Sequence, residues 1–218
     1  MATRFYLPLS GAAPTSPTVS TMWDGNCSAF ARYMAVTTKV NSALANVVAL
    51  FGFTGTRQIC WHQWVSDTLD VDQTISGTMS AVVRGLENAT NADLHLAVSI
   101  RVLQGDTSTL RGVLRNQGAT VTEYVTTAAT RIHNALAVTS VNALAGDRIA
   151  IEVGFHGLTP APGATGTLRF GDPTGTADFA LTSGLTTDLC PWVQLSANIT
   201  FGTPGGGATT KDSQVIFF

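Results

Sequence analysis

Few residues in this chain could do chemistry, and they are scattered. Cys60-Trp61-His62 sets two metal-ligating types two positions apart. In a strand that spacing puts both side chains on one face, but a zinc site needs a second pair at usual spacing, and the sequence offers none. Asp67, Asp70 and Asp72 form the one carboxylate cluster. Calcium takes about six to eight oxygen ligands, of which this spacing supplies a part, so turn capping is the simpler role. His95, His133 and His156 stand apart, at positions that strand alternation points outward. A glycosidase needs two carboxyl groups, but nothing selects two from Glu87, Glu123, Glu152 and the aspartates. A G-x-S-x-G nucleophile turn and a phosphate-cradling glycine loop with its lysine are both absent. The expectation is a protein with no catalytic residues, no cofactor and no bound metal.

Cys27, Cys60 and Cys190 are an odd, scattered set. They read as buried thiols acting as small apolar residues, not as a disulfide framework. Trp61, Trp64 and Trp192 lie in runs of buried-type residues and read as core packing.

The elements that would position these residues are strands. From Gln73 to Leu103 apolar residues alternate with polar ones. Ile75, Gly77, Met79, Ala81 and Val83 share one side, and Leu94, Leu96, Val98, Ile100 and Val102 repeat the pattern. The polar stretch Glu87–Asp93 between them reads as a turn, so the pair is expected to be a long antiparallel hairpin with one buried face. Two further strands are expected near 31–39 and 43–51. A third over 56–66 is rich in large side chains on both faces. Others follow at 109–116, within 132–143, at 148–156, 167–170 and 192–201. Together these predict an all-β antiparallel sandwich of jelly-roll type with no helix.

Residues 1–27 read as an extended N-terminal arm, because Pro8, Pro14 and Pro17 exclude a helix while Phe5, Tyr6, Leu7 and Leu9 are apolar. Such an arm lies on its own domain or on a neighbour. Residues 28–202 read as a single sandwich domain. Residues 203–218 are a glycine-rich linker and a short apolar C-terminal tail ending in Val215, Ile216, Phe217 and Phe218.

Composition narrows the function. The 218 residues are 12% charged with a formal net charge of −2, and the charged share is about half the usual one. With two lysines, Lys39 and Lys211, no basic patch suits a nucleic acid or an anionic membrane surface. The N-terminus lacks the apolar stretch of a secretory leader, and no apolar run is long enough to span a bilayer.

Several stretches together resemble virion proteins of tailed bacteriophages: TRFYLP, WVSD followed by QTISGTM, SIRVL with TLRGVL, GDRIAIEVGF, GTLRFGD and PWVQLSANITF. The resemblance spans most of the chain but consists of strand and turn patterns. It implies a jelly-roll accessory structural protein, a capsid decoration (cement) or minor virion component without catalytic residues. The expected partners are then the major capsid protein and copies of this chain, with a homotrimer favoured, no nucleic acid and no membrane. The expected location is the virion, assembled in the host cytoplasm. Phe5, Tyr6, Leu7, Leu9 and Val215–Phe218 are the expected partner-binding residues. The alternative from a different class is a carbohydrate- or receptor-binding module of a phage tail or fibre, with a tryptophan as stacking platform.

Overall fold

A computed structural model describes residues 1–50, 55–172 and 177–202. Among these the chain forms strands and no helix. In chain order they are β1 (Thr3–Tyr6), β2 (Gly25–Met34), β3 (Ser42–Leu50), β4 (Arg57–Thr68), β5 (Gln73–Ile75), β6 (Thr78–Glu87) and β7 (Leu94–Leu103). They continue as β8 (Leu110–Gln117), β9 (Ala129–Ala137), β10 (Val141–Ala143), β11 (Arg148–Gly157), β12 (Thr165–Asp172) and β13 (Trp192–Leu195).

Two sheets form the molecule. One runs β1-β13-β6-β12-β3, with β9 also paired to β6; the other runs β2-β4-β11-β7-β8. A small ribbon pairs β10 with β5. All pairings are antiparallel except β2 with β4. The all-β sandwich read from the sequence is therefore the fold. Its centre holds Met79, Ala81 and Val83 from one sheet against Leu96, Val98, Ile100, Ile151, Val153 and Phe155 from the other, all buried. Each such side chain contributes about 1.5–3 kcal/mol when taken out of water. Phe155 anchors the middle, with Trp61 and Tyr124 edge-on to it at centroid distances of 4.8 and 5.1 Å.

Four local expectations change. First, β6 and β7 are not a hairpin. They alternate as expected but belong to opposite sheets, and the 88–93 segment crosses between layers. Two strands with one buried face each satisfy the same pattern whether they pair edge to edge or stack face to face.

Second, neither strand has a fully solvated outer face, although Thr78, Ser80 and Leu86 of β6 stay partly exposed. Every residue of β7 is buried. On the outer face of its sheet, residues 15–24 lie as a strap. On the outer face of the other sheet, Phe179 and Leu189 from the connection before β13 pack on Val82 and Trp192.

Third, β4 does not alternate throughout. Val153 pairs with His62 but Gly154 pairs with Cys60, which leaves Trp61 as an extra residue. The bulge turns both Trp61 and His62 inward and leaves Cys60 and Gln63 on the outer face. Gly154 opposite it has no room for a side chain, since a Cβ there would sit 2.0 Å from the Ile59 carbonyl oxygen.

Fourth, boundaries move. β2 begins at Gly25 and ends at Met34, because it follows β4 in parallel from Gly25↔Ile59 to Met34↔Val65. The run expected over 73–83 breaks at Gly77, where φ is +99°. The run expected over 192–201 ends at Leu195. There the Ser196 hydroxyl oxygen accepts the Thr78 amide at 2.8 Å, and a Cβ on Gly77 would collide with it at 2.2 Å. Beyond that turn Ile199 stays buried through its amide, which donates to the Thr3 hydroxyl oxygen at 2.8 Å.

Candidate functional site

The N-terminal segment expected as an arm lies on its own domain. β1 pairs with β13, placing Phe5 opposite Val193 and Tyr6 opposite Trp192. Phe5 and Leu7 are completely buried in the main core, and Leu9 packs against it while partly exposed. The Tyr6 hydroxyl donates to Asp178, and Arg4 pairs with the same carboxylate at 2.5 Å. Of the four residues expected to meet a partner, only Tyr6 and Leu9 keep any accessible surface in this fold. Val215, Ile216, Phe217 and Phe218 lie outside the described residues.

The strap that follows closes over a buried carboxylate. Glu152, in the middle of β11, is fully buried on the outer face of its sheet. It accepts hydrogen bonds from the Ser20 amide at 3.1 Å, the Trp23 indole N–H at 2.7 Å and the Gln63 amide at 2.8 Å, and it pairs with Arg101. Arg101 in turn donates to the Thr18 carbonyl at 2.7 Å, and Arg32 donates to Gln63 at 2.9 Å and to the Pro17 carbonyl. A buried charge is tolerated only when so compensated. The strap is thus fastened by the polar face of β4, β7 and β11; alternation had pointed the β7 residues of that face outward. Glu152 and Arg101 were legible only as single charges inside apolar strands.

A second feature is the edge strand β3. Among the described residues it pairs with β12 alone. Its sequence, SALANVVAL, carries no charge and no proline, and Val48 and Leu50 are 58% and 57% exposed. Soluble proteins commonly guard such edges with lysine, proline or a bulge; β3 has neither lysine nor proline, and its one register shift against β12 falls at its start, between Ser42 and Ala45.

Of the histidines expected to point outward, His156 is partly exposed, but His95 and His133 are buried. His62 lies among Tyr33, Trp64 and Phe170 and accepts the Ala31 amide at Nδ1. His133 is buried on β9. His95 is 7% exposed and groups with Asp93 and Glu123, their ligand atoms all within 4.8 Å of one another. Cys60 and His62, expected on one face, point to opposite sides of β4 because of the bulge. Asp72 accepts the Ala145 amide at 2.8 Å, a turn-fixing role. The three thiols are buried and free, and burial pushes Cys27 up to about 11 and Cys190 up to about 12. Trp61, Trp64 and Trp192 are all buried, so none offers a face for a sugar to stack on.

No protein-family model and no curated protein matches this chain. Among solved structures it is similar to one of infectious bursal disease virus, Gx strain, at 11% identity and a TM-score of 0.28. That match covers 90% of this chain and 51% of the other. It is as similar to a CocE/NonD family hydrolase from Staphylococcus aureus, at 12% identity and a TM-score of 0.28, covering 93% of this chain and 34% of that one. The chain thus spans about half of the first structure and a third of the second. Likeness this weak supports neither a viral nor a hydrolytic role.

Proposed function

We propose that this chain is a structural component of a virion: a capsid decoration protein of a tailed bacteriophage, bound to the major capsid protein shell. It joins copies of itself, a homotrimer being the favoured assembly, and catalyses no reaction. The observation that carries this reading is the edge of β3, which pairs regularly with β12 from Ala45 to Leu50 and has no charge or proline. An uncharged nine-residue edge with exposed Val48 and Leu50 suits a protein whose edges are covered in an assembly. The occupant we assign to it is the C-terminal tail of a neighbouring copy. That tail ends in Val215-Ile216-Phe217-Phe218 after a linker beginning at Gly202. Residues 203–218 reach roughly 50 Å when extended. An added strand gains backbone hydrogen bonds, and its alternate side chains set the register. Passing a tail from one copy to the next is a head-to-tail contact, which forms a ring when the rotation between copies closes. The low charged fraction and the resemblance of strand and turn patterns to phage virion proteins agree with this reading.

The experiment compares wild-type protein with Val48→Lys and with a chain ending at residue 210. Each is sized by light scattering and assayed for occupancy on capsids lacking the protein. A homo-oligomer that dissociates in both variants, with reduced capsid occupancy, is the expected result. A wild-type monomer with no affinity for capsids, or variants that assemble and bind like wild type, would overturn the proposal.

A further inference from the structure

The structure assigns a second site at one end of the sandwich: we propose that Asp93, His95 and Glu123 bind a divalent transition-metal cation. The three come from different elements held in register by the backbone. His95 is the second residue of β7. Glu123 lies on the segment following β8, which runs along β7 through the Thr120 amide to the Leu96 carbonyl at 3.2 Å and the Tyr124 amide to the Leu94 carbonyl at 2.7 Å. Asp93 ends the crossing from β6 in a left-handed conformation, φ +48°.

The hydrogen bonds fix which atoms face the centre. His95 Nδ1 is 2.9 Å from the Thr120 carbonyl oxygen, which can only accept, so Nδ1 carries the hydrogen. In the neutral ring Nε2 is then a bare lone pair, and it lies 3.1 Å from Asp93 Oδ1. A lone pair facing a carboxylate oxygen at that distance requires a positive centre beside them, either a proton or a metal. The other Asp93 oxygen is already engaged by the amide and hydroxyl of Thr159, at 2.7 and 2.5 Å, which orients Oδ1 towards the histidine. A histidine whose far nitrogen donates to a backbone carbonyl is the usual second-layer support of a metal ligand.

Glu123 supplies the third donor that a metal would use and a proton would not need. A single proton satisfies the His95–Asp93 pair, yet a second carboxylate also lies within 4.8 Å of both. Ligands at about 2.0–2.2 Å from one ion lie roughly 3–4 Å apart, so small side-chain rotations suffice to close the set. Asp93 and Glu123 are partly exposed, which leaves a path for the ion and room for water ligands. One imidazole and two carboxylates favour manganese, iron, cobalt or zinc over calcium or magnesium. Arg131 is the opposing charge nearby; it is drawn aside, stacked over Tyr124 and donating to the Glu123 backbone carbonyl.

The test uses the full chain, stripped with EDTA and titrated with cobalt and zinc by calorimetry and visible absorption. One ion per chain is expected, with a melting temperature that rises with zinc concentration. Asp93→Asn and Glu123→Gln should each weaken binding at least tenfold. Glu123→Gln changes a partly exposed side chain and so tests the site even if Asp93→Asn folds poorly. The His95 ring resonances should broaden with cobalt, and zinc should abolish their titration. No stoichiometric binding up to millimolar metal, unchanged affinity in Glu123→Gln, or a His95 that titrates identically with and without zinc would overturn the proposal and leave a protonated His95–Asp93 pair.

Discussion

His62 and His133 shape how this protein responds to acid. Burial is the first cause in both, and it pushes both imidazoles down to about 4. The folded state therefore holds them neutral, while the unfolded chain protonates them near 6.5. Between those values the unfolded state binds more protons, so stability falls as pH falls. Each histidine accounts for at most about 3 kcal/mol by this linkage. Glu87 works the other way. Its carboxyl is raised by burial to about 7, so its contribution is present at acid pH and is lost as pH rises through 7. Two histidines against one glutamate leave about one proton, or about 1.4 kcal/mol per pH unit, between pH 6.5 and 4.5. His156 is shifted down by burial too and steepens the slope. Urea unfolding followed across that range should show the midpoint dropping with acid, and His62→Phe should make the dependence shallower. A flat profile in the wild-type protein would show that these rings are hydrated. The burial of the tryptophans and the free thiols was legible from their apolar neighbours. The burial of His133 was not, because alternation reports which side of a strand a residue occupies and not what lies on that side.

At the scale of elements, the apolar periodicity located most strands and their inward sides. Ile75, Met79, Val83, Leu96, Val98 and Ile100 were all expected inside and are all buried, as are Ile151, Val153 and Phe155 on β11. Leu96→Ala or Ile151→Ala should each cost about 2–5 kcal/mol in chemical denaturation, and a loss near zero would mean that the site collapses around the cavity. What periodicity could not supply was the pairing of strands, because edge-to-edge and face-to-face neighbours carry the same pattern. It also missed the β4 bulge, since one inserted residue in a run of large side chains leaves no local gap in hydrophobicity. Gly154 is the better signal. It interrupts the apolar β11 sequence RIAIEVGF where a Cβ would sit 2.0 Å from the Ile59 carbonyl oxygen. Gly154→Ala must push backbone against backbone, so it should lower stability by about 2 kcal/mol or more despite adding one methyl group. Thermal unfolding of that variant at or above the wild-type midpoint would show that the bulge relaxes freely.

At the scale of the molecule, the N-terminal segment decides how an assembly can be tested. Deleting residues 2–20 looks at first like removal of a clamp. In this fold the same deletion removes β1 from its sheet, empties the places of Phe5 and Leu7, and strips the Ser20 amide from buried Glu152 and the Thr18 carbonyl from Arg101. The two apolar side chains alone contribute about 3–6 kcal/mol. Hydrogen bonds to charged groups add about 1.5–3 kcal/mol each. The sum rivals the whole net stability of an ordinary domain, about 5–15 kcal/mol. The expected outcome is a truncated chain that is unfolded or insoluble, which would carry no information about partners. Glu152→Gln isolates the strap instead. It keeps the shape but leaves Arg101 buried without its counter-charge, and loss of one partner of such a pair costs about 3–5 kcal/mol. If the strap serves the fold, Glu152→Gln should lower the unfolding midpoint and speed proteolytic cleavage within residues 9–24 while the oligomer, where it forms, keeps its size. A soluble, well-folded 2–20 deletion that melts like wild type would show the strap to be dispensable to the domain and would return Phe5 to Leu9 to the role of a clamp on a neighbouring subunit.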